Sequence, residues 1–74
     1  MYTFKIQLQK EDEGGYMATI PSLPGCITYG ETLEEALDMA KEAAELYLDE
    51  LQQRGEVIRD DSNTLEYSLN LQVL

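Results

Sequence analysis

The most reactive side chain in this sequence is the thiol of Cys26, the chain's one cysteine. A cysteine nucleophile needs a neighbouring base to take its proton, and the sequence contains no histidine. A lone cysteine also cannot form an intrachain disulfide or a Cys-based zinc site. We therefore expect Cys26 to be a small buried packing residue beside a turn, and we predict no enzymatic activity and no cofactor.

Carboxylates could also do chemistry, and they cluster at 11–13 and at Asp60 and Asp61. Neither cluster has the ligand spacing of a calcium loop. A metal site and a solvated turn both remain open, and the solvated turn is favoured. The sequence therefore predicts no metal site.

The charge balance bears on possible partners. Fifteen acidic and five basic residues give a net charge of −10. Such a surface is poorly suited to nucleic-acid phosphates and well suited to a basic partner. The same charge could instead merely keep a small protein soluble, and composition alone leaves the two interpretations open.

The length and the hydropathy pattern limit the architecture. The first ten residues alternate polar and apolar instead of forming a signal peptide, and no apolar run approaches the roughly 20 residues that span a bilayer. We expect a soluble, cytoplasmic protein with no membrane partner. Residues 1–74 form one small domain with a marginal core, which favours oligomerisation.

Period-two alternation predicts strands at 2–9, 16–20, 26–29 and 65–73. The second and third of these are joined through Leu23-Pro24-Gly25-Cys26, which fits a type II turn with proline and glycine at the two central positions.

A helix is predicted at about 32–54. Thr32 is the expected N-cap, with the Glu35 side chain reaching back to the N–H of the cap, and Gly55 lies just past the end. The apolar stripe follows a 3.6-residue period. It consists of Leu33, Ala36, Leu37, Ala40, Ala44, Tyr47, Leu48 and Leu51.

Two features lie outside this stripe. Met39, Ala43 and Leu46 form an apolar flank, which could be a deeper core contact or a partner surface. Beside it lies an acidic ridge, which could be a solvated face. The ridge consists of Glu35, Asp38, Glu42, Glu45 and Asp49. The predicted fold is α+β in the order βββαβ, an antiparallel sheet with one long helix packed on one face.

Three spaced motifs carry a family resemblance: Gly14-Gly15-Tyr16, then Ile-Pro-Ser-Leu-Pro-Gly-Cys ending at Cys26, then Gly-Glu-Thr-Leu-Glu-Glu-Ala-Leu ending at Leu37. In this order they resemble the HicB-like antitoxin family. The resemblance implies a truncated ribonuclease H-like sheet and homo-oligomers, either dimers or tetramers. It also implies binding and neutralisation of HicA-type toxins, which are small basic ribonucleases. Many members carry a C-terminal DNA-binding domain, and this chain resembles a short, standalone member.

The ribonuclease H-like fold raises the question of a two-metal nuclease. Such a site needs carboxylates on the inner strands, and the first predicted strand contains none. A metal-dependent hydrolase is therefore the weakest of three hypotheses. The second is an orphan oligomeric structural or regulatory protein with no toxin partner.

The leading hypothesis is an antitoxin that binds a basic toxin through an acidic surface. The predicted partner-binding residues are four helix acids and three residues near the Pro-Gly loop, which is expected to be exposed. They are Glu34, Glu35, Asp38, Glu42, Tyr16, Leu23 and Tyr29.

Overall fold

The computed structural model describes residues 1–73 and shows three strands followed by one helix. The strands are β1 (Gln7–Lys10), β2 (Tyr16–Thr19) and β3 (Ile27–Gly30), and the helix is α1 (Leu33–Gln53). This architecture confirms the predicted α+β class with one long helix on one face of an antiparallel sheet. The predicted domain extends to Leu74, which lies outside the described residues. No helix within residues 1–73 combines the length and apolar character needed to cross a membrane.

The sheet has the order β1-β2-β3, and both pairings are antiparallel. Leu8 lies opposite Ala18, and Ala18 lies opposite Thr28. Cross-strand partners share a face of the sheet. Since Ala18 is fully buried, Leu8 and Thr28 belong to the face that carries the core.

The loop between β2 and β3 has the predicted turn. The Cys26 N–H donates to the Leu23 carbonyl at 2.9 Å, and Gly25 has a φ of +85°. A positive φ at the third position is the feature that makes glycine favourable there. The turn points inward, because Ile20, Leu23 and Cys26 are all buried in the core.

The two ends of α1 have the features predicted from the sequence, except that one predicted hydrogen bond has a different donor. The Thr32 hydroxyl accepts from the Glu35 N–H at 3.1 Å, which confirms the N-cap. The Glu35 carboxylate, however, accepts from the N–H of Glu31 at 3.3 Å and not from that of Thr32. At the other end, Gly55 has a φ of +72°. The Gly55 N–H donates to the Gln52 carbonyl and the Glu56 N–H donates to the Leu51 carbonyl. These two hydrogen bonds form a Schellman motif.

The helix packs on the sheet through small residues. Ala36 and Ala40 are buried, and Gly30 of β3 lies directly beneath the first turn. A Cβ at Gly30 would stand 2.3 Å from the Ala36 backbone nitrogen, so only glycine permits this approach. The helix lies over β3 and β2 but not over β1. The core-facing side of β1 is therefore left partly uncovered, and Leu8 is 39% exposed.

After α1 the chain returns to the segment that precedes β1. The Asp61 N–H donates to the Thr3 carbonyl at 2.7 Å, and its carboxylate accepts from the Lys5 N–H at 2.9 Å and from the Ser22 hydroxyl at 2.5 Å. Asp60 accepts from the Thr3 N–H at 2.9 Å. The interpretation of this pair as a solvated turn is wrong for Asp61, which is buried and fastens the loop to the sheet.

Within residues 1–73 the fourth strand, predicted at 65–73, is absent, and the observed order is βββα instead of the predicted βββαβ. Its apolar side chains are exposed: Leu65 94%, Tyr67 88%, Leu69 68%, Leu71 78% and Val73 91%. The alternation is that of a strand, but a strand needs a neighbour to accept its ladder hydrogen bonds. The radius of gyration is 14.5 Å, whereas a compact chain of this length has about 11 Å. Residues 65–73 therefore extend away from the rest of the chain.

Candidate partner-binding surface

The four predicted helix acids lie on the side of α1 that faces away from the sheet. Glu34, Glu35, Asp38 and Glu42 are all exposed, while Ala36 on the opposite side is fully buried. Residues four apart on a helix are neighbours, so Glu34, Asp38 and Glu42 follow one another along one row. The structure therefore gathers these four carboxylates on one open surface.

The apolar flank borders this surface. Met39 is 46% exposed and Leu46 is 67% exposed, while Ala43 is half-buried against the core. The flank and β3 together form an open groove of about 210 Å³. Thr28, Met39, Glu42, Ala43 and Leu46 line it. Of the two interpretations left open by the sequence, the core contact holds only for Ala43, and the two larger side chains remain accessible.

Glu42 belongs to both features, since it lines the groove and stands in the acidic ridge. On the strand side of the groove, the Thr28 hydroxyl donates to the Ala36 carbonyl at 3.4 Å. A surface of this kind combines an apolar strip with carboxylates along its rim. It can bind a partner that offers apolar side chains surrounded by cations.

The three residues predicted near the Pro-Gly loop do not join this surface. Tyr16 is half-buried and packs against the core. Leu23 is 2% exposed, so the expectation that it lies in an exposed loop is wrong. Tyr29 is 46% exposed, but it follows Thr28 in β3 and so points to the other face of the sheet. There its hydroxyl donates to the Gly14 carbonyl at 3.1 Å.

The residues around Leu23 in the sequence indicate that it is buried. An isolated leucine among proline, serine and glycine in a short loop has no strand or helix to bury it, and the loop must turn inward to do so. Thr28 was not predicted at all. Its place in the groove depends on how the helix lies across β3, which no local pattern specifies.

Cys26 lies in surroundings that lower the reactivity of its thiol. It is 6% exposed, and burial raises the pKa of its thiol above the ordinary value, which favours the unreactive protonated form. Within residues 1–73 there is also no group of three or more histidine, cysteine or carboxylate side chains placed to hold a metal ion.

Comparison with known proteins gives the family. Residues 4–72 match the family described as the HicB_like antitoxin of bacterial toxin-antitoxin system. A UPF0150 protein of Thermoplasma acidophilum is 37% identical over 59 residues, covering 80% of this chain and 86% of the relative. A UPF0150 protein of Archaeoglobus fulgidus is 46% identical over 46 residues, covering 62% of this chain and 67% of the relative.

A third relative has a functional name. Antitoxin HicB 1 of Photorhabdus laumondii is 42% identical over 40 residues, which make up 54% of this chain and only 26% of that antitoxin. The shared region is thus about a quarter of the longer protein. The match over residues 4–72 covers nearly the whole chain and confirms the resemblance carried by the three sequence motifs. The chain belongs to the HicB-like antitoxin family of bacterial toxin–antitoxin systems.

Proposed function

We propose that this chain binds and neutralises a small, basic, mRNA-cleaving toxin of the HicA type, acting in the cytoplasm and without contacting nucleic acid itself. The observation that carries the proposal is the position of Glu42, where the acidic ridge and the apolar groove meet. The surrounding helix acids concentrate exposed negative charge on this side of the molecule. A basic RNA-binding surface has the complementary charge.

The two parts of the surface have different roles in binding. Complementary charge raises the association rate and orients the partner, and it is weakened by salt. Burial of Met39 and Leu46 in the partner would slow dissociation, because desolvated apolar contacts at the centre of an interface carry most of its binding energy. A toxin held in this way would have its RNA-binding surface covered.

The test is co-purification with a HicA-type toxin encoded in the same genome, followed by an RNA-cleavage assay with and without this chain. We expect a complex that stops cleavage. The triple variant Glu35→Lys, Asp38→Lys and Glu42→Lys should bind at least about 100-fold more weakly, since like charges then face each other across the interface.

A matched control distinguishes the effect of the ridge residues on binding from the effect of net charge. The triple variant of the hairpin residues, Glu11→Lys, Asp12→Lys and Glu13→Lys, changes the net charge by the same amount but lies outside the ridge and the groove. It should retain inhibition. Equal loss in both variants would mean that only net charge matters, and inhibition that survives the ridge variant would place the contact elsewhere.

The second candidate is an orphan oligomer with a structural or regulatory role and no toxin partner. The observation that favours it is the row of exposed apolar side chains at 65–73, which fits association between copies of the chain, as dimers or tetramers. Failure to form a complex with the toxin at low salt, together with a defined oligomer in solution, would support this candidate.

A further inference from the structure

We propose that the face of the sheet opposite α1 is a docking surface for an extended, arginine-bearing segment of a partner protein. Side chains of a strand alternate between its two faces, and those that do not face the core form this outer face. It consists of Gln7, Gln9, Met17, Thr19, Ile27 and Tyr29. The inference does not rest on the proposed antitoxin function, whose surface lies on the helix side of the sheet.

The outer face is open and partly apolar. Within residues 1–73 no strand or helix packs on it, because α1 packs with Ala18 on the core side. Ile27 is 57% exposed and Tyr29 is 46% exposed. Tyr29 lies opposite Met17 in the sheet, and Ile27 is two residues before Tyr29 on the same strand. These three apolar side chains are neighbours on one face and can bury an apolar side chain of a partner.

The turn between β1 and β2 adds negative charge at one end of the outer face. An open concavity of about 490 Å³ lies there, lined by Glu11, Asp12, Glu13, Gly14 and Tyr29. The two ion pairs found within the described residues both involve Arg54, so neither neutralises these carboxylates. Lys10 lies opposite Tyr16 and so points to the core side of the sheet. The carboxylates of the turn are therefore available to a cation from a partner.

The Tyr29 ring is held beside these carboxylates. Its hydroxyl donates to the Gly14 carbonyl at 3.1 Å. A Cβ at Gly15 would stand 2.7 Å from Cε1 of Tyr29, so glycine there allows the ring to lie directly against the turn. The turn is closed by two hydrogen bonds, Glu11 N–H to the Gly15 carbonyl at 3.0 Å and Gly14 N–H to the Glu11 carbonyl at 3.1 Å. Because the ring and the turn are ordered before a partner binds, less entropy is lost on binding.

An aromatic ring beside carboxylates favours arginine over other side chains of a partner. A guanidinium group can stack on a tyrosine ring while it donates two hydrogen bonds to a carboxylate, whereas the ammonium group of lysine is a point charge. Side chains on one face of an extended segment recur about every 7 Å, which is also the spacing of Ile27 and Tyr29 along β3. An arginine at Tyr29 and an apolar residue two positions away at Ile27 would therefore contact both features.

Charge disfavours the other occupants of the outer face. A second copy of the chain would bring the same acidic turn and a net charge of −10. A nucleic acid or an anionic lipid surface would also be repelled. A positively charged segment of another protein is the occupant that matches both the carboxylates and the apolar side chains.

The first test is fluorescence anisotropy of a labelled peptide in which arginine and leucine alternate, titrated with the full chain. We expect this peptide to bind about fivefold more tightly than the same peptide with lysine in place of arginine. A version with glutamate in place of arginine should not bind. Tyr29→Leu keeps an apolar side chain but removes the ring, and it should bring the arginine and lysine peptides to equal affinity.

A pair of charge-matched variants tests the location. The turn variant, Glu11→Lys with Asp12→Lys and Glu13→Lys, should bind the arginine peptide at least about tenfold more weakly. The ridge variant, Glu35→Lys with Asp38→Lys and Glu42→Lys, changes the net charge equally on the helix side of the sheet. At physiological ionic strength it should bind nearly as well as the unsubstituted chain, because distant charges are screened. The turn variant is also the one expected to retain toxin inhibition, so each proposal can fail without the other.

Ile27→Ser tests the apolar part of the outer face. It should weaken peptide binding about fivefold and leave the mass of the chain in solution unchanged. Circular dichroism should show unchanged helix content in every variant. Absence of peptide binding, equal loss in the turn and ridge variants, or equal affinity of the unsubstituted chain for arginine and lysine peptides would each overturn the proposal. A change of mass caused by Ile27→Ser would also overturn it, since the outer face would then be covered by a second copy.

Discussion

The Asp61 carboxylate accepts a hydrogen bond from the Lys5 backbone N–H at 2.9 Å, although 56 positions separate the two residues in the sequence. The Ser22 hydroxyl donates to the same carboxylate. One side chain thus joins the segment before β1, the loop after β2 and the segment after α1. This buried carboxylate therefore stabilises the fold by holding the three segments together.

The first prediction concerns pH and Asp61. Hydrogen bonds from the Ser22 hydroxyl, and then from the Lys5 N–H, hold the pKa of Asp61 below its ordinary value of 3.8. A carboxylate with a lowered folded-state pKa stabilises the fold above pH 3.8, and that contribution is lost as the pH falls through the lowered pKa. Asp61→Asn should therefore lower the melting temperature at neutral pH, and the difference from the unsubstituted chain should shrink below pH 3.8.

Thermal unfolding followed by circular dichroism from neutral pH to about pH 3 measures this difference. Asp12→Asn is the control, because Asp12 is exposed in the hairpin turn and loses the same charge. A destabilisation by Asp61→Asn that stays constant down to the lowest pH would show that the charge of the carboxylate does not matter.

The second prediction concerns Gly30. Gly30→Ala places a Cβ 2.3 Å from the Ala36 backbone nitrogen, which must move the helix away from β3. We expect a loss of about 3 kcal/mol in the free energy of unfolding, at the upper end for overpacking. Gly55→Ala is the comparison, since Gly55 has a φ of +72° but open space around it, and it should cost about 1 kcal/mol. Urea denaturation measures both, and equal costs would contradict the close approach of helix and strand.

The third prediction concerns the start of α1. Thr32→Ala removes the hydroxyl that accepts from the Glu35 N–H and should cost about 1 kcal/mol, whereas Thr32→Ser should cost little. Both values come from the same urea titrations. If serine were as destabilising as alanine, the methyl group of Thr32 and not its hydroxyl would be the stabilising feature.

The fourth prediction concerns Cys26. Burial raises the pKa of its thiol and excludes reagents, so alkylation of the native chain should be slow. In urea the rate should rise by at least about tenfold, as the thiol becomes accessible. Mass spectrometry of quenched samples measures the labelled fraction. Rapid labelling of the native chain would show that the Pro-Gly loop opens readily.

The parts of the fold that sequence reasoning predicted are those with a local cause. The Pro24-Gly25 turn and the Thr32 cap depend on residues within three positions of each other, and both are present. The exposure of the helix acids follows from the position of the apolar stripe on the same helix. Their role in binding a toxin stays a prediction.

The parts that could not be predicted depend on contacts between distant segments. Nothing near Asp61 in the sequence indicates that it binds the backbone of Lys5, and nothing near Thr28 indicates that the helix forms a groove with it. The alternation at 65–73 identifies a segment suited to a strand, but periodicity does not say which edge it pairs with or whether that edge is in the same chain.

The long connection between Lys5 and Asp61 also bears on the order in which the chain folds. The sheet and the helix contact partners that are close in chain order, whereas this contact closes a loop of 56 positions. The entropic free energy of closing a loop rises with the logarithm of the loop length. This closure therefore costs about 1.5 kcal/mol more than the closure of a ten-residue loop. We therefore expect the hydrogen bond between Lys5 and Asp61 to form last during folding and to open first. The Lys5 amide should then exchange its hydrogen sooner than the amide of Ala18.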